Sequence, residues 1–179
     1  ASGFQAINFV DCRNAAEVKE AIRITTAETP QDGGCYGFPN NRFIGWEPWT
    51  TQMRHSERLN DVVRCFMIEK KSIFDELDEV MSIPGLDMVQ FGPSDYSMSC
   101  GFDFKDHVKE VREAEKRMIE CALKHNKRPR CEIQSVDDAQ YYIDLGVKDF
   151  SMGDQMKLLM RDWNADGSGI RNVIDKNKI

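Results

Sequence analysis

The sequence predicts an α/β protein built on a parallel sheet. Three observations carry this. Short apolar segments recur along the 179 residues, an amphipathic segment with helical spacing follows nearly every one, and no internal repeat or low-complexity tract interrupts the alternation. Strands joined through helices imply right-handed crossovers, so the sheet is either open and doubly wound or part of a barrel.

The elements follow in order. "QAINFV" is strand-like, and "NAAEVKEAIRITTA" repeats Ala15, Val18, Ala21 and Ile22 at helical spacing behind an Asn cap. Residues 28–50 hold four Gly and three Pro, which excludes a regular element, and the aromatics Tyr36, Phe38, Phe43, Trp46 and Trp49 mark an ordered loop. "ERLNDVV" is a short helix and "RCFMIE" a strand; "SIFDELDEVMS" carries Ile73, Phe74, Leu77, Val80 and Met81 on one helical face. Then come the strand "LDMVQFG", a long helix from about Asp106 to His125, the strand "PRCEI", the helix "VDDAQYYIDLG", the strand "DFSMG" and the helix "QMKLLMRDW". One domain occupies 1–163, and the tail 164–179 reads as loosely structured.

Composition narrows the function. Lys and Arg number 24 against 30 Asp and Glu, a net charge of −6, and no basic block lines one face, so nucleic acid is not an expected partner. No apolar run approaches the ~18 residues of a membrane span, and "ASGFQAINFV" lacks the basic start of a secretion signal. Six cysteines without a C-x-x-C pair suit reduced packing thiols. The expectation is a soluble, cytoplasmic protein.

Two acids stand out by position. Glu69 closes the strand "RCFMIE", and Asp95 follows "LDMVQF" after Gly92-Pro93-Ser94, 26 residues later. Both therefore fall at the carboxyl edge of a parallel sheet, where α/β active sites are built, on strands ~4.8 Å apart. Convergent carboxylates repel unless a cation lies between them, and a hard divalent ion such as Mg²⁺ meets that need. Pro93 fixes the turn while the amides of Ser94 and Asp95 face outward to take an anion. Metal and amides together suit a 2-oxo acid. The plainer alternative stays open: Asp95 caps backbone amides, and Glu69 pairs with Lys70, Lys71 or Arg64.

The segment "MIEKKSIFDELDEVMSIPGLDMVQFGPSDYSMSCG" resembles the core of the HpcH/HpaI class II pyruvate aldolases. The Glu-to-Asp spacing, Pro84-Gly85-Leu86-Asp87, Gly92-Pro93, Asp95, Ser97 and Gly101 fall in register with the family pattern. Weaker similarity runs through "NAAEVKEAIRITTAETPQDGG" and "AQYYIDLGVKDFSMGDQMKLL", so nearly the whole chain is covered. The resemblance implies a (β/α)₈ TIM barrel of which this chain supplies about the last five β/α units. It implies Glu69 and Asp95 as ligands of Mg²⁺, Mn²⁺ or Co²⁺, Ser94 and Asp95 amides on the pyruvate carboxylate, and a homohexamer. The implied reaction is cleavage of a 4-hydroxy-2-oxo acid to pyruvate and an aldehyde.

The departures are as specific. The family's catalytic His and carboxylate-binding Arg lie on strands before the point where this sequence starts, and none of His55, His107 and His125 matches that His. A longer parent protein is expected. Met67 stands where the family has Gln, and Arg130 and Glu132 stand where it has Gly and an apolar residue near the aldehyde pocket. Met67 and Glu132 are therefore substrate-pocket candidates, with solvation at the rim or an ion pair the plainer fate of Arg130 and Glu132. The loop aromatics either cover a barrel end or, as the resemblance implies, help form the pocket and subunit contacts. Two readings remain: a metal-dependent lyase, or a catalytically silent barrel subunit with a binding or assembly role.

Overall fold

The computed structural model describes residues 4–38 and 51–177. Five parallel strands, β1 (Ala6–Phe9), β2 (Val63–Ile68), β3 (Met88–Phe91), β4 (Arg128–Ile133) and β5 (Asp149–Met152), lie side by side in chain order. A doubly wound sheet reverses its strand order at a switch point; this one does not, so right-handed crossovers leave the helices on a single face, as in a sector of a barrel. The helices are α1 (Ala15–Ile24), α2 (Gln52–Asn60), α3 (Leu77–Ser82), α4 (Pro93–Cys100), α5 (Val108–Lys124), α6 (Ala139–Asp144) and α7 (Gln155–Asn177).

Strand alternation divides the sheet into two faces. Phe66, Ile68, Val89, Phe91, Cys131 and Ile133 join the core with Val80 and Met81 of α3 and Met118, Ile119 and Ala122 of α5. The other face carries Met67, Gln90, Arg130 and Asp149 in direct register, with Glu132 opposite Ser151 in the next layer. The core face is apolar and the concave face polar. Because Met118 is fully buried, Met118→Ala is expected to lower unfolding stability by about 2–5 kcal/mol in urea titration, the usual loss for a truncated core side chain.

α4 is an element the sequence reading took for a turn. Gly92 is its N-cap and Pro93 its first residue, a start signal for a helix; Gly101, at φ 85°, ends it in the left-handed region. Tyr96 fastens α4 to the sheet, its ring 5.3 Å from Phe91 and 5.0 Å from Phe74, and Ser99 Oγ accepts the Lys71 N–H at 2.9 Å. The segment that follows β2 and the helix α4 are thereby held together.

The tail also differs from expectation. α7 continues through Gly167 and Gly169 to Asn177, and none of its residues is buried. Trp163, Ile170, Val173 and Ile174 recur at helical spacing and leave an exposed apolar stripe along it. Phe43, Trp46 and Trp49 lie outside the described residues. Among the described residues no helix is long and apolar enough to cross a membrane, and all six cysteines are free thiols.

Candidate functional site

Glu69, the residue after β2, is 3% exposed and hydrogen-bonded to the end of a different strand: the Asp11 N–H donates to its Oε1 at 2.7 Å. Asp11 reaches that position at φ 63°, a left-handed conformation that a non-glycine residue adopts only when its surroundings enforce it. The other carboxylate oxygen lies against α4. A Cβ placed on Gly92 would stand 2.5 Å from Glu69 Oε2 and 2.7 Å from Glu69 Cβ, so only glycine allows this approach. Asp95 and Ser94 sit in the first turn of α4, which no side chain caps, and their N–H groups belong to the donors a helix cannot satisfy internally.

A cation completes the group. Lys70 Nζ lies 2.5 Å from Asp11 Oδ1 and 3.3 Å from Asp95 Oδ1, with its side chain 13% exposed. The Asp11 contact pushes the Lys70 pKa up and Asp11's down, so the pair is charged. The alternative partners of Glu69 are engaged elsewhere: Arg64, buried, donates to Thr25 and Leu59 carbonyls at 3.0 and 3.2 Å. Asp11 and Asp95 are hard oxygen donors on the Lys70 ammonium, Glu69 is a third bound to the Asp11 N–H, and the donor set fits Mg²⁺ or Mn²⁺. They are not closed on a common point. Among the described residues the trio of ligating atoms within 4.8 Å of one another is Asp78, Cys121 and His125.

A cavity of about 750 Å³ opens beside the group and is lined by Met67, Gln90, Ser94, Asp95, Arg130 and Glu132, among others. The structure thus brings Met67, Ser94, Asp95 and Glu132 to one cavity, whereas Glu69 is not among its lining residues. Glu132 is exposed and accepts from Gln134 Nε2 at 3.0 Å; no ion pair joins it to Arg130. The pocket charge expected of Glu132 is therefore a solvated rim charge. Arg130 instead faces Cys65, whose thiol burial pushes up to about 11 against the pull of that guanidinium. Gln90, 7% exposed, has an Oε1 with no hydrogen-bond partner.

Comparison with known proteins agrees with the fold and gives the family. A model of the HpcH/HpaI aldolase/citrate lyase family matches residues 2–159. The chain belongs to that family. A 4-hydroxy-2-oxo-heptane-1,7-dioate aldolase of Escherichia coli is 25% identical over 164 residues, which are 91% of this chain and 61% of the relative. An HpcH/HpaI aldolase/citrate lyase family protein from Burkholderia cenocepacia superposes with a TM-score of 0.82 at 17% identity, over 93% of this chain and 65% of that one. The citrate synthase SbnG does so at 0.78 and 20%, over 96% and 64%. The chain spans about three-fifths of the length of the curated relatives it matches.

In this HpcH/HpaI chain the three histidines stand away from the strand-end carboxylates. His55 is half-buried between Tyr36 and Phe38, ring centroids 6.4 and 5.4 Å away, and burial pushes its pKa down. His107 caps α5 and stacks on Phe102. His125 ends α5 and bonds Asp78 at 2.8 Å; with Lys124 at 2.7 Å it holds that carboxyl down at about 2, so the Asp78–Cys121–His125 trio already carries its counter-charge. Sequence reasoning missed Asp11, although the strand-end rule that selects Glu69 applies to it equally. It also missed Lys70 as a member of the site, and Glu115, whose carboxyl burial pushes up and whose partner is the Tyr142 hydroxyl at 3.1 Å.

Proposed function

We propose that the full protein is a divalent-metal-dependent carbon–carbon lyase that cleaves a 4-hydroxy-2-oxo acid to pyruvate and an aldehyde, and that this chain supplies about the last five units of its (β/α)₈ barrel. The observation that carries the reading is the cation between Asp11 and Asp95 beside buried Glu69, at the carboxyl edge of the sheet. Family membership and the name of the Escherichia coli relative support the reaction class.

In this reading Glu69 and Asp95 hold Mg²⁺, Mn²⁺ or Co²⁺, which when bound offsets the negative charge that develops on the pyruvate oxygens. The amides of Ser94 and Asp95 receive the 2-oxo acid carboxylate and orient it. Gln90 and Arg130 offer an acceptor and a cation to the polar end of the substrate, Met67 its apolar wall, and Glu132 the rim. Proton transfer is assigned to a group outside this chain, as the family resemblance implies; His107 and His125 are bonded to Glu110 and Asp78. Assembly as a homo-oligomer is part of the proposal, supported by exposed Met156, Leu159, Met160 and Trp163 on α7.

The test is pyruvate release by the full-length protein from a panel of 4-hydroxy-2-oxo acids. Release is expected to vanish on chelation and return with Mn²⁺. Release indifferent to chelation removes the metal from the reading. No release from any member favours the silent barrel subunit, which one observation supports: an ammonium already occupies the place of the ion.

A further inference from the structure

The carboxylate group at the strand ends differs from an open divalent-ion site in one respect. Its counter-charge is supplied by the chain. Lys70 follows Glu69 directly, so its backbone position is set by the end of β2, and its side chain turns back over the sheet edge to lie between Asp11 and Asp95. Its side chain is 13% exposed, and its ammonium meets the carboxylate oxygens of Asp11 and Asp95. Asp11 is fixed in turn, because its N–H is bound to Glu69 while its carboxylate holds Lys70. The chain Glu69–Asp11–Lys70–Asp95 is continuous, and it links the ends of β1 and β2 with the start of α4.

We infer that Lys70 is the resident cation of this carboxylate group, and that a divalent ion binds Glu69 and Asp95 only by displacing the Lys70 ammonium from Asp95. The inference rests on the metal reading given above. Its physical basis is like-charge repulsion: an ammonium 3.3 Å from Asp95 Oδ1 opposes the approach of an ion of charge +2 to the same carboxylate. Asp11 provides the displaced ammonium with a second carboxylate, so Lys70 needs to swing away from Asp95 alone. Metal affinity is thereby set by competition within the chain.

The experiment measures two things on the full-length protein. Mn²⁺ affinity is titrated calorimetrically for wild type, Lys70→Met, Lys70→Arg and Glu69→Gln, and acetylation of Lys70 is followed by mass spectrometry with and without saturating Mn²⁺. Lys70→Met is expected to bind Mn²⁺ at least about tenfold more tightly, because the competitor is gone. Lys70→Arg, which keeps the charge, should stay within a fewfold of wild type. Acetylation of Lys70 is expected to accelerate severalfold when Mn²⁺ binds. Equal affinity in wild type and Lys70→Met, with binding lost in Glu69→Gln, would overturn the displacement while leaving the metal reading in place. Lys70 acetylation unchanged or slowed by Mn²⁺ would overturn it as well. Absence of Mn²⁺ binding in both wild type and Lys70→Met removes the metal reading and the displacement together.

Discussion

Glu69→Gln is expected to weaken Mn²⁺ binding by about a hundredfold or more while leaving the protein folded. Two unit charges 4 Å apart interact by roughly 4 kcal/mol at an effective dielectric near 20, about three decades of affinity, and a carboxylate that ligates an ion is closer still. Glu69 is 3% exposed, so solvent replaces little of that attraction. Glutamine keeps the shape and an oxygen that accepts the Asp11 N–H, so the lost charge is separated from the lost contact. The stability cost is the difference between a charged and a neutral acceptor, about 1 kcal/mol. Calorimetric titration reads the first effect and urea unfolding the second. Undiminished Mn²⁺ affinity would take the ion away from the end of β2, and pyruvate release insensitive to the substitution would detach the proposed reaction from it too.

Gly92→Ala is expected to strike the same site through sterics. The added methyl falls 2.5 Å from Glu69 Oε2 and 2.7 Å from Glu69 Cβ, and also 3.1 Å from Met67 Cε. Met67 can rotate away, since its thioether is flexible, but Glu69 Cβ is fixed by the backbone at the end of β2. Either the carboxylate leaves the Asp11 amide or α4 moves out from the sheet. α4 is pinned by the Tyr96 ring against Phe91 and Phe74, so the displacement falls on Glu69 and on the first-turn amides of Ser94 and Asp95. A loss of about 1–3 kcal/mol in unfolding stability is expected, of the size usual for overpacking, together with at least a tenfold weaker Mn²⁺ affinity. Wild-type values for both would mean that α4 adjusts freely, and the close approach at Gly92 would then have no bearing on the site.

The alternation of short apolar strands with amphipathic helices was enough to place Glu69 and Asp95 on one edge of one sheet. A parallel sheet with helical crossovers gives every post-strand residue the same side, and that geometry depends on local periodicity alone. Gly92-Pro93 reads as a turn in the sequence, whereas the same pair is the N-cap and first residue of α4, and the approach of Gly92 to Glu69 belongs to the folded chain. Local pattern likewise contained the helix beyond Trp163, where the tail reads as loosely structured.

Other features had no local signature. Whether five strands wind in one direction or two depends on which strands pair, and the order β1-β2-β3-β4-β5 is a property of the assembled sheet. Asp11 and Glu69 are 58 residues apart, and nothing near either one specifies that an amide at the end of β1 will bind a carboxylate at the end of β2. Lys70 read equally well as a surface partner of Glu69, and Arg64 as another; packing sent Arg64 to the carbonyls of Thr25 and Leu59 and Lys70 to Asp11 and Asp95. Glu132 and Arg130 share a strand face, yet one is solvated at the rim and the other lies against Cys65. A long charged side chain can reach several partners at similar cost, so its choice is made by which of them the folded chain has brought within a few ångströms and shielded from water. The edge of the sheet follows from sequence periodicity, whereas the cation that occupies it follows from tertiary packing.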